Sequence, residues 1–189
     1  MQLSKNSKKI LVIIAIAVVI AIGVFFYVRN IRKKVAMSNT NKNVQAFLKM
    51  IRYAEGTSGV NGYRTLFGGK LFTDFSKHPN VKVPFFDKLK NKQNYSTAAG
   101  AYQFLNSTWK RLAITLNLPD FSPESQDKAA IELIREKGAL QDVIDGRFEI
   151  AVNKISKVWA SMPGAGYKQP EKKMTALIKV FTENGGQLA

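Results

Sequence analysis

The sequence contains no cysteine and a single histidine, His78. Disulfide staples, thiolate zinc, thiol nucleophiles and His-rich metal sites are therefore excluded. There is no P-loop, no G-x-G-x-x-G fingerprint and no metal-ligand cluster, so no cofactor and no metal are expected. Acidic residues are scarce as well: 13 Asp and Glu stand against 29 Lys and Arg, for a formal charge of +16. None occurs before Glu55, and Ser38 to Ala189 by itself carries +9. Such a charge calls for an anionic partner, whether nucleic acid, a lipid surface or a wall polymer. The basic residues are scattered and match no nucleic-acid motif, which argues against the first.

What the sequence does hold begins with Ile10 to Val28, ILVIIAIAVVIAIGVFFYV, nineteen residues without a charge. At about 1.5 Å per residue this run extends roughly 28 Å as a helix, against a hydrocarbon core of ~30 Å. Phe25, Phe26 and Tyr27 lie near its end, where an aromatic belt sits. RNIRKK follows in place of a small-residue cleavage site, so the expectation is an uncleaved transmembrane anchor. The expected organisation is a short basic N-terminus (1–9), a transmembrane helix (10–28), a basic linker (29–43) and one globular domain (44–189).

Within that domain Val44, Phe47, Leu48 and Ile51 form an i, i+3, i+4, i+7 stripe, and Gly56 stops the helix. Tyr63 to Thr73 (YRTLFGGKLFT) reads as a β-hairpin around Gly68-Gly69, followed by a loop with Pro79 and Pro84 up to about Ser96. Ala98 to Asn117 reads as helical with a break near Asn106. Ser122-Pro123 opens another helix that ends at Lys137-Gly138. Phe148, Ala151, Val152, Ile155 and Val158 make a further stripe. Pro170 opens a last helix with Met174, Leu177, Ile178 and Phe181 inward. The fold class is α+β, mainly helical, with one small hairpin near the start.

Glu55 falls where the stripe of Leu48 and Ile51 calls for a hydrophobe. Burial there disfavours the ionised carboxylate, and so does the negative end of the helix dipole. Both push towards a protonated acid near neutral pH, the form a glycosidic bond needs for its cleavage. The alternative is a helix-end glutamate that turns to solvent or pairs with Arg52.

Six stretches occur in one order: AEGT (54–57), GGKLFTDFSKHP (68–79), STAAGAYQF (96–104), DFSPESQD (120–127), EKGAL (136–140) and WASMPGAGY (159–167). In them the chain resembles the endolysin-type lytic transglycosylases of the lysozyme superfamily, over about residues 44–186. The resemblance implies a lysozyme-like fold with a small β-hairpin subdomain beside the catalytic helix. It also implies cleavage of the β-1,4 bond between N-acetylmuramic acid and N-acetylglucosamine without water. Glu55 would protonate the leaving oxygen, the muramic acid's own C6 hydroxyl would attack, and a 1,6-anhydro end would result. One carboxylate then suffices, whereas a hydrolase usually needs two, about 5–5.5 Å apart if retaining and 6.5–9.5 Å if inverting.

Asp74 is the candidate second carboxylate of a muramidase. The resemblance makes Asp74, with Ser76, hairpin-organising or sugar-binding instead. Tyr102 and Gln103 fit a wall of the sugar cleft, with Gly100 allowing close approach of backbone to sugar. Tyr63 is a candidate cover from the hairpin. Trp159 continues the Ile155-Val158 stripe as core or sugar ligand, Trp109 reads as core, and His78 has no evident role. The expected partners are peptidoglycan glycan strands and, through Ile10 to Val28, a membrane. The N-terminus would lie inside and the catalytic domain on the periplasmic, wall-facing side of a host inner membrane or a virion membrane. The other alternative is a wall-binding module that has lost catalysis. Three departures from the family stand out: Ala98, Ala99 and Ala101 replace expected Gly or basic residues, the loop around Asn80 to Asn94 is longer and more basic, and the N-terminal run has no counterpart.

Overall fold

A computed structural model describes residues 5–38 and 41–189, with the side chains of the first helix described at 13, 14 and 16–30. The chain divides into two compact units, Met1–Lys34 and Val35–Ala189. The first consists of most of helix α1, Lys5–Ser38. Residues read as linker from 29 onward continue this helix as far as Ser38.

The expected transmembrane segment requires correction. Among the described residues no helix is long and apolar enough to cross a membrane. The side chains of Ile10, Leu11, Val12 and Ala15 lie outside the described residues. The reading as a single-pass membrane protein with a periplasmic domain falls with the span.

The second unit is built around α2, Lys42–Ala54. Asn41 caps it by accepting the Val44 N–H (3.2 Å), one of the caps that its polar lead-in offers. The stripe residues Val44, Phe47, Leu48 and Ile51 are buried together with Ala46, Met50 and Ala54. The helix packs against α4 (Pro123–Glu136), α5 (Leu140–Ile144) and α7 (Met174–Glu183). Phe47 meets Phe148 of α6 (Phe148–Ile155) at 5.6 Å and Phe181 of α7 at 6.3 Å. Each such ring, fully buried, stabilises the fold by about 1.5–3 kcal/mol.

Around α2 the expected elements shift. The Tyr63–Thr73 hairpin reduces to a tight turn with one bridge, Thr65 to Leu71, closed by Leu66 N–H donating to Lys70 O (2.7 Å). Gly68 and Gly69 supply φ of 81° and 89°, while Tyr63 and Arg64 lie in a 3₁₀ turn. The sheet lies instead in the segment read as loop: β1 (Val83–Asp87) and β2 (Lys92–Ser96) form an antiparallel ribbon. Pro84 concealed it, because proline is tolerated in a ribbon that consists only of edge strands. Residues 98–105 are not helical either. Gly100 and Gln103 take φ of 79° and 47° so that Ala99 and Phe104 can bond each other, and α3 (Asn106–Leu116) starts where a break was expected.

Later in the chain α4 follows its signals, with Ser122 accepting the Ser125 N–H (3.3 Å) and Pro123 in the first turn. Helix α7 starts at Met174 and not at Pro170, since the Lys172 N–H is engaged by Ser161 O (2.8 Å). Leu177 and Phe181 are its buried pair, with Met174 and Ile178 only half-buried. Helix α5, five residues long, is too short to leave a periodic signal.

A second aromatic cluster sits between the turn and α3, where Phe121 contacts Trp109 (4.5 Å), His78 (4.8 Å) and Phe72 (5.7 Å). His78 is a core residue. Its Nδ1 accepts the Asn80 N–H (3.1 Å), so the proton resides on Nε2, which donates to Phe104 O (2.8 Å). Burial lowers its pKa below the ordinary 6.5, with the bond to Phe104 opposing. The neutral ring thus contributes stability above about pH 6.5 that is lost as pH falls through the lowered folded value. Denaturant titrations are expected to lose stability below that pH in the natural chain, with a shallower loss in His78→Gln; equal slopes would contradict this.

Candidate active site

Glu55 sits at the end of α2 in a closed helix-terminating motif. Gly56, with φ of 73°, donates its N–H to Tyr53 O (3.1 Å), and the Thr57 N–H reaches Arg52 O (2.8 Å). Thr57 is buried, and its hydroxyl donates to Ala101 O (2.6 Å), tying the helix end to the 99–104 loop. The backbone under Glu55 is therefore fixed on both sides.

The carboxyl group of Glu55 enters an open cleft of about 300 Å³. Leu66 to Gly69 form one wall, Ala160, Ser161, Gln169 and Pro170 the other, and Gln103 lies between them. Ser161 Oγ donates to Glu55 Oε1 at 2.5 Å. Burial raises the pKa of Glu55 above the ordinary 4.5, and the Ser161 hydroxyl and backbone N–H work against that rise. The glutamate is thus neither turned to solvent nor paired with Arg52.

Arg52 serves another network. Its guanidinium lies over the Tyr63 ring at 4.5 Å. Tyr63 OH and Tyr102 OH both donate to Asp127 Oδ1, at 2.9 and 2.6 Å. Desolvation, joined by the nearby Asp127 carboxylate, pushes the Tyr63 hydroxyl up to about 12, so it remains a donor at any working pH.

The expected site residues separate accordingly. Gln103 joins Glu55 in the cleft; its Nε2 donates to Gly100 O (3.0 Å) and Thr65 O (3.1 Å), which leaves Oε1 as an acceptor. Tyr102 and Trp159 are 1% and 4% exposed, and Trp159 Nε1 donates to Tyr102 O (3.0 Å). Their rings are committed to the core, which corrects Tyr102 as a cleft wall and leaves Trp159 with the core reading that its stripe offered. Tyr63 points to Asp127 and not across the cleft. Asp74 is exposed and bonds Ser76 through its N–H (2.7 Å) and its hydroxyl (2.9 Å), the local turn that its spacing allowed; neither residue lines the cleft. Gly100 makes its close approach to protein, not sugar, since a Cβ there would come within 2.2 Å of Gln126 Oε1.

Ser161, Thr57 and Asp127 were not anticipated. Ser161 is 106 positions from Glu55, and no spacing rule links them. Its one signal is a small hydroxyl in a Gly- and Pro-containing loop within WASMPGAGY.

Residues 45–188 match the protein family described as Endolysin. The chain belongs to the endolysin family. The endolysin of Escherichia phage lambda is 43% identical over 156 residues, taking in 79% of this chain and 96% of the relative. That of Escherichia phage P2 is 41% identical over 158 residues, with 78% and 96% covered. Bacteriophage lambda lysozyme, solved in complex with a chitohexasaccharide, superposes with a TM-score of 0.73 at 41% identity, over 79% of this chain and 97% of that one. A second structure of lysozyme from bacteriophage lambda gives 0.69 at the same identity and coverage. The fold is thus lysozyme-like, mainly helical with a two-stranded sheet. The endolysin match begins after α1, so the relatives give no support to the membrane anchor.

In this endolysin-family site, removing the Ser161 hydroxyl takes away a bond that favours the ionised glutamate. Ser161→Ala is expected to raise the Glu55 pKa further and to move the alkaline limb of the pH–activity profile upward. An unchanged or lowered limb would show that the bond does not act on the carboxyl group.

Proposed function

We propose that this endolysin-family protein degrades peptidoglycan as a lytic transglycosylase, cleaving the β-1,4 bond from N-acetylmuramic acid to N-acetylglucosamine and leaving a 1,6-anhydro end. The observation that carries this reading is that, among the described residues, Glu55 is the one carboxylate lining the cleft. Asp74 is held in its own turn, and the nearby Glu171 accepts the N–H groups of Gly164 and Gly166, both at 2.8 Å. Among the described residues no second carboxylate lines the cleft, which favours the one-carboxylate reaction over a two-carboxyl hydrolysis. The relative's complex with a chitohexasaccharide supports a β-linked glycan as the occupant.

In the proposed reaction protonated Glu55 gives its proton to the glycosidic oxygen, which leaves with the bonding electron pair. The C6 hydroxyl of the muramic acid attacks the anomeric carbon, and its proton passes to the Glu55 carboxylate, which restores the acid. Burial raises the pKa of Glu55, which favours the protonated form that the first step requires. The Ser161 hydroxyl holds Oε1 and would stabilise the carboxylate after proton transfer. Gln103, which lines the cleft, would accept an acetamido N–H through Oε1.

Digestion of purified peptidoglycan followed by mass spectrometry tests the proposal. Anhydro ends, lighter than reducing ends by one water, are expected, and Glu55→Gln should lower their release by about 10²–10⁴-fold. Reducing ends would indicate a muramidase; no products from a folded protein that still binds the wall would leave a binding module. Stability provides a second readout. A carboxyl whose folded pKa is raised stabilises the fold while protonated, and that contribution is lost as pH rises through the folded value. Glu55→Gln should therefore melt above the natural chain at pH 7, with the gain vanishing below about 4.5.

A further inference from the structure

Arg52 stands three residues before Glu55 on α2, and Glu55, the helix cap with φ of −78° and ψ of −1°, keeps the helical spacing. On a helix that separation makes two side chains neighbours, and a cation there would favour the ionised carboxylate. Among the described residues Arg52 Nε is buried and makes no hydrogen bond, so the guanidinium retains a donor for a new acceptor. Its observed ties lead the other way. The guanidinium lies over the Tyr63 ring at 4.5 Å, and Nη1 donates to Tyr63 OH at 3.4 Å. Tyr63 OH donates in turn to Asp127 Oδ1 (2.9 Å), which Tyr102 OH reaches from the core (2.6 Å). Burial raises the pKa of Asp127, and the two hydroxyls and Arg52 oppose that rise. Glu124, the other acid near it, is paired with Lys128 at 2.7 Å. Among the described residues that line the cleft, none but Glu55 carries a charge. Lys172, on the loop that holds Ser161, lies over the Tyr53 ring at 5.0 Å.

We propose, resting on the reading of Glu55 as the general acid, that Asp127 is a positioning residue that holds Arg52 on Tyr63 and away from Glu55. Asp127 does not line the cleft and acts only through its neighbours. By accepting the Tyr63 proton it leaves the phenolic oxygen free to receive Arg52 Nη1, and its charge attracts the guanidinium in the same direction. Without that charge, a ring contact and one long bond to a neutral hydroxyl would compete with a carboxylate three residues along the same helix. Arg52 would then pair with Glu55, favour its ionised form and leave less of the acid protonated.

Two substitutions in the full chain release Arg52 by different routes. Asp127→Asn keeps the shape of the side chain and removes its charge; Tyr63→Leu removes the ring and the hydroxyl. The titration midpoint of Glu55 is followed by carbon-13 NMR, beside kcat and KM on soluble glycan strands, with circular dichroism confirming the fold. Each variant is expected to lower the midpoint by about one pH unit and to move the alkaline limb of the pH–activity profile down with it. Above the midpoint kcat should fall about tenfold, with KM little changed. Adding Arg52→Gln to either variant should return both midpoint and kcat, a repair that a packing defect would not show. Should Asp127→Asn fail to fold, Tyr63→Leu decides. An unchanged midpoint in a folded variant would overturn the proposal. So would a lowered midpoint that persists after Arg52→Gln, which would leave the network a purely structural role. If the natural chain cleaves no glycan, the reading of Glu55 as the general acid fails, while the midpoints still decide where Arg52 is held.

Discussion

A carboxyl group at the buried end of a helix faces two penalties, removal from water and the negative pole of the helix dipole. Glu55 carries both, and the surrounding structure relieves them only in part. Ser161 supplies a hydroxyl and a backbone N–H, yet burial remains the larger effect and the pKa stays raised. Among the described residues no cation comes to its aid. Arg52, one turn earlier on α2, is drawn away to the Tyr63 ring and the Asp127 network. The raised pKa of this acid is thus a consequence of where its neighbours direct their bonds.

Holding that arrangement takes most of the irregular backbone in the second unit. Thr57 ties the helix end to Ala101, Trp159 ties the opposite wall to Tyr102, and Lys172 fixes the carbonyl of Ser161. Gly100 lets Gln126 approach the same loop, where Gln126 Oε1 accepts the Ala101 N–H (2.8 Å) and its Nε2 donates to Phe121 O (2.8 Å). The aromatic residues 102 and 159 therefore act on the cleft through their backbone and their packing. The two walls meet Glu55 from loops anchored to a common core, which suits a site that must hold one carboxyl group in one position.

How much of this the sequence revealed follows from what each feature depends on. The stripe ending at Glu55, the glycine after it and the cap of α4 are local, encoded within a few residues, and they were legible. The β1–β2 ribbon was obscured by Pro84 and by lysines at its tip. Residues 98–105 looked helical because their composition is, while two left-handed residues and bonds to distant segments decide their path. Trp159 was legible as core through the Ile155-Val158 stripe, whereas Tyr102 read equally as core or cleft wall, since an aromatic residue beside a cleft and one beneath it read alike. Ser161 depends on a contact across the whole domain, which no local pattern encodes. The apolar run near the N-terminus was legible as a helix, but its reading as a membrane span did not hold among the described residues.

The central claim is that the surroundings of Glu55 raise its pKa and so favour its protonated form. Its side-chain carboxyl carbon, labelled with carbon-13 and followed by NMR through a pH titration, reports this directly, with Glu55→Gln identifying the resonance. The account predicts a midpoint above the ordinary 4.5 of a glutamate. A midpoint at or below that value would mean that Ser161 outweighs burial, and Glu55 could not then serve as the resting acid.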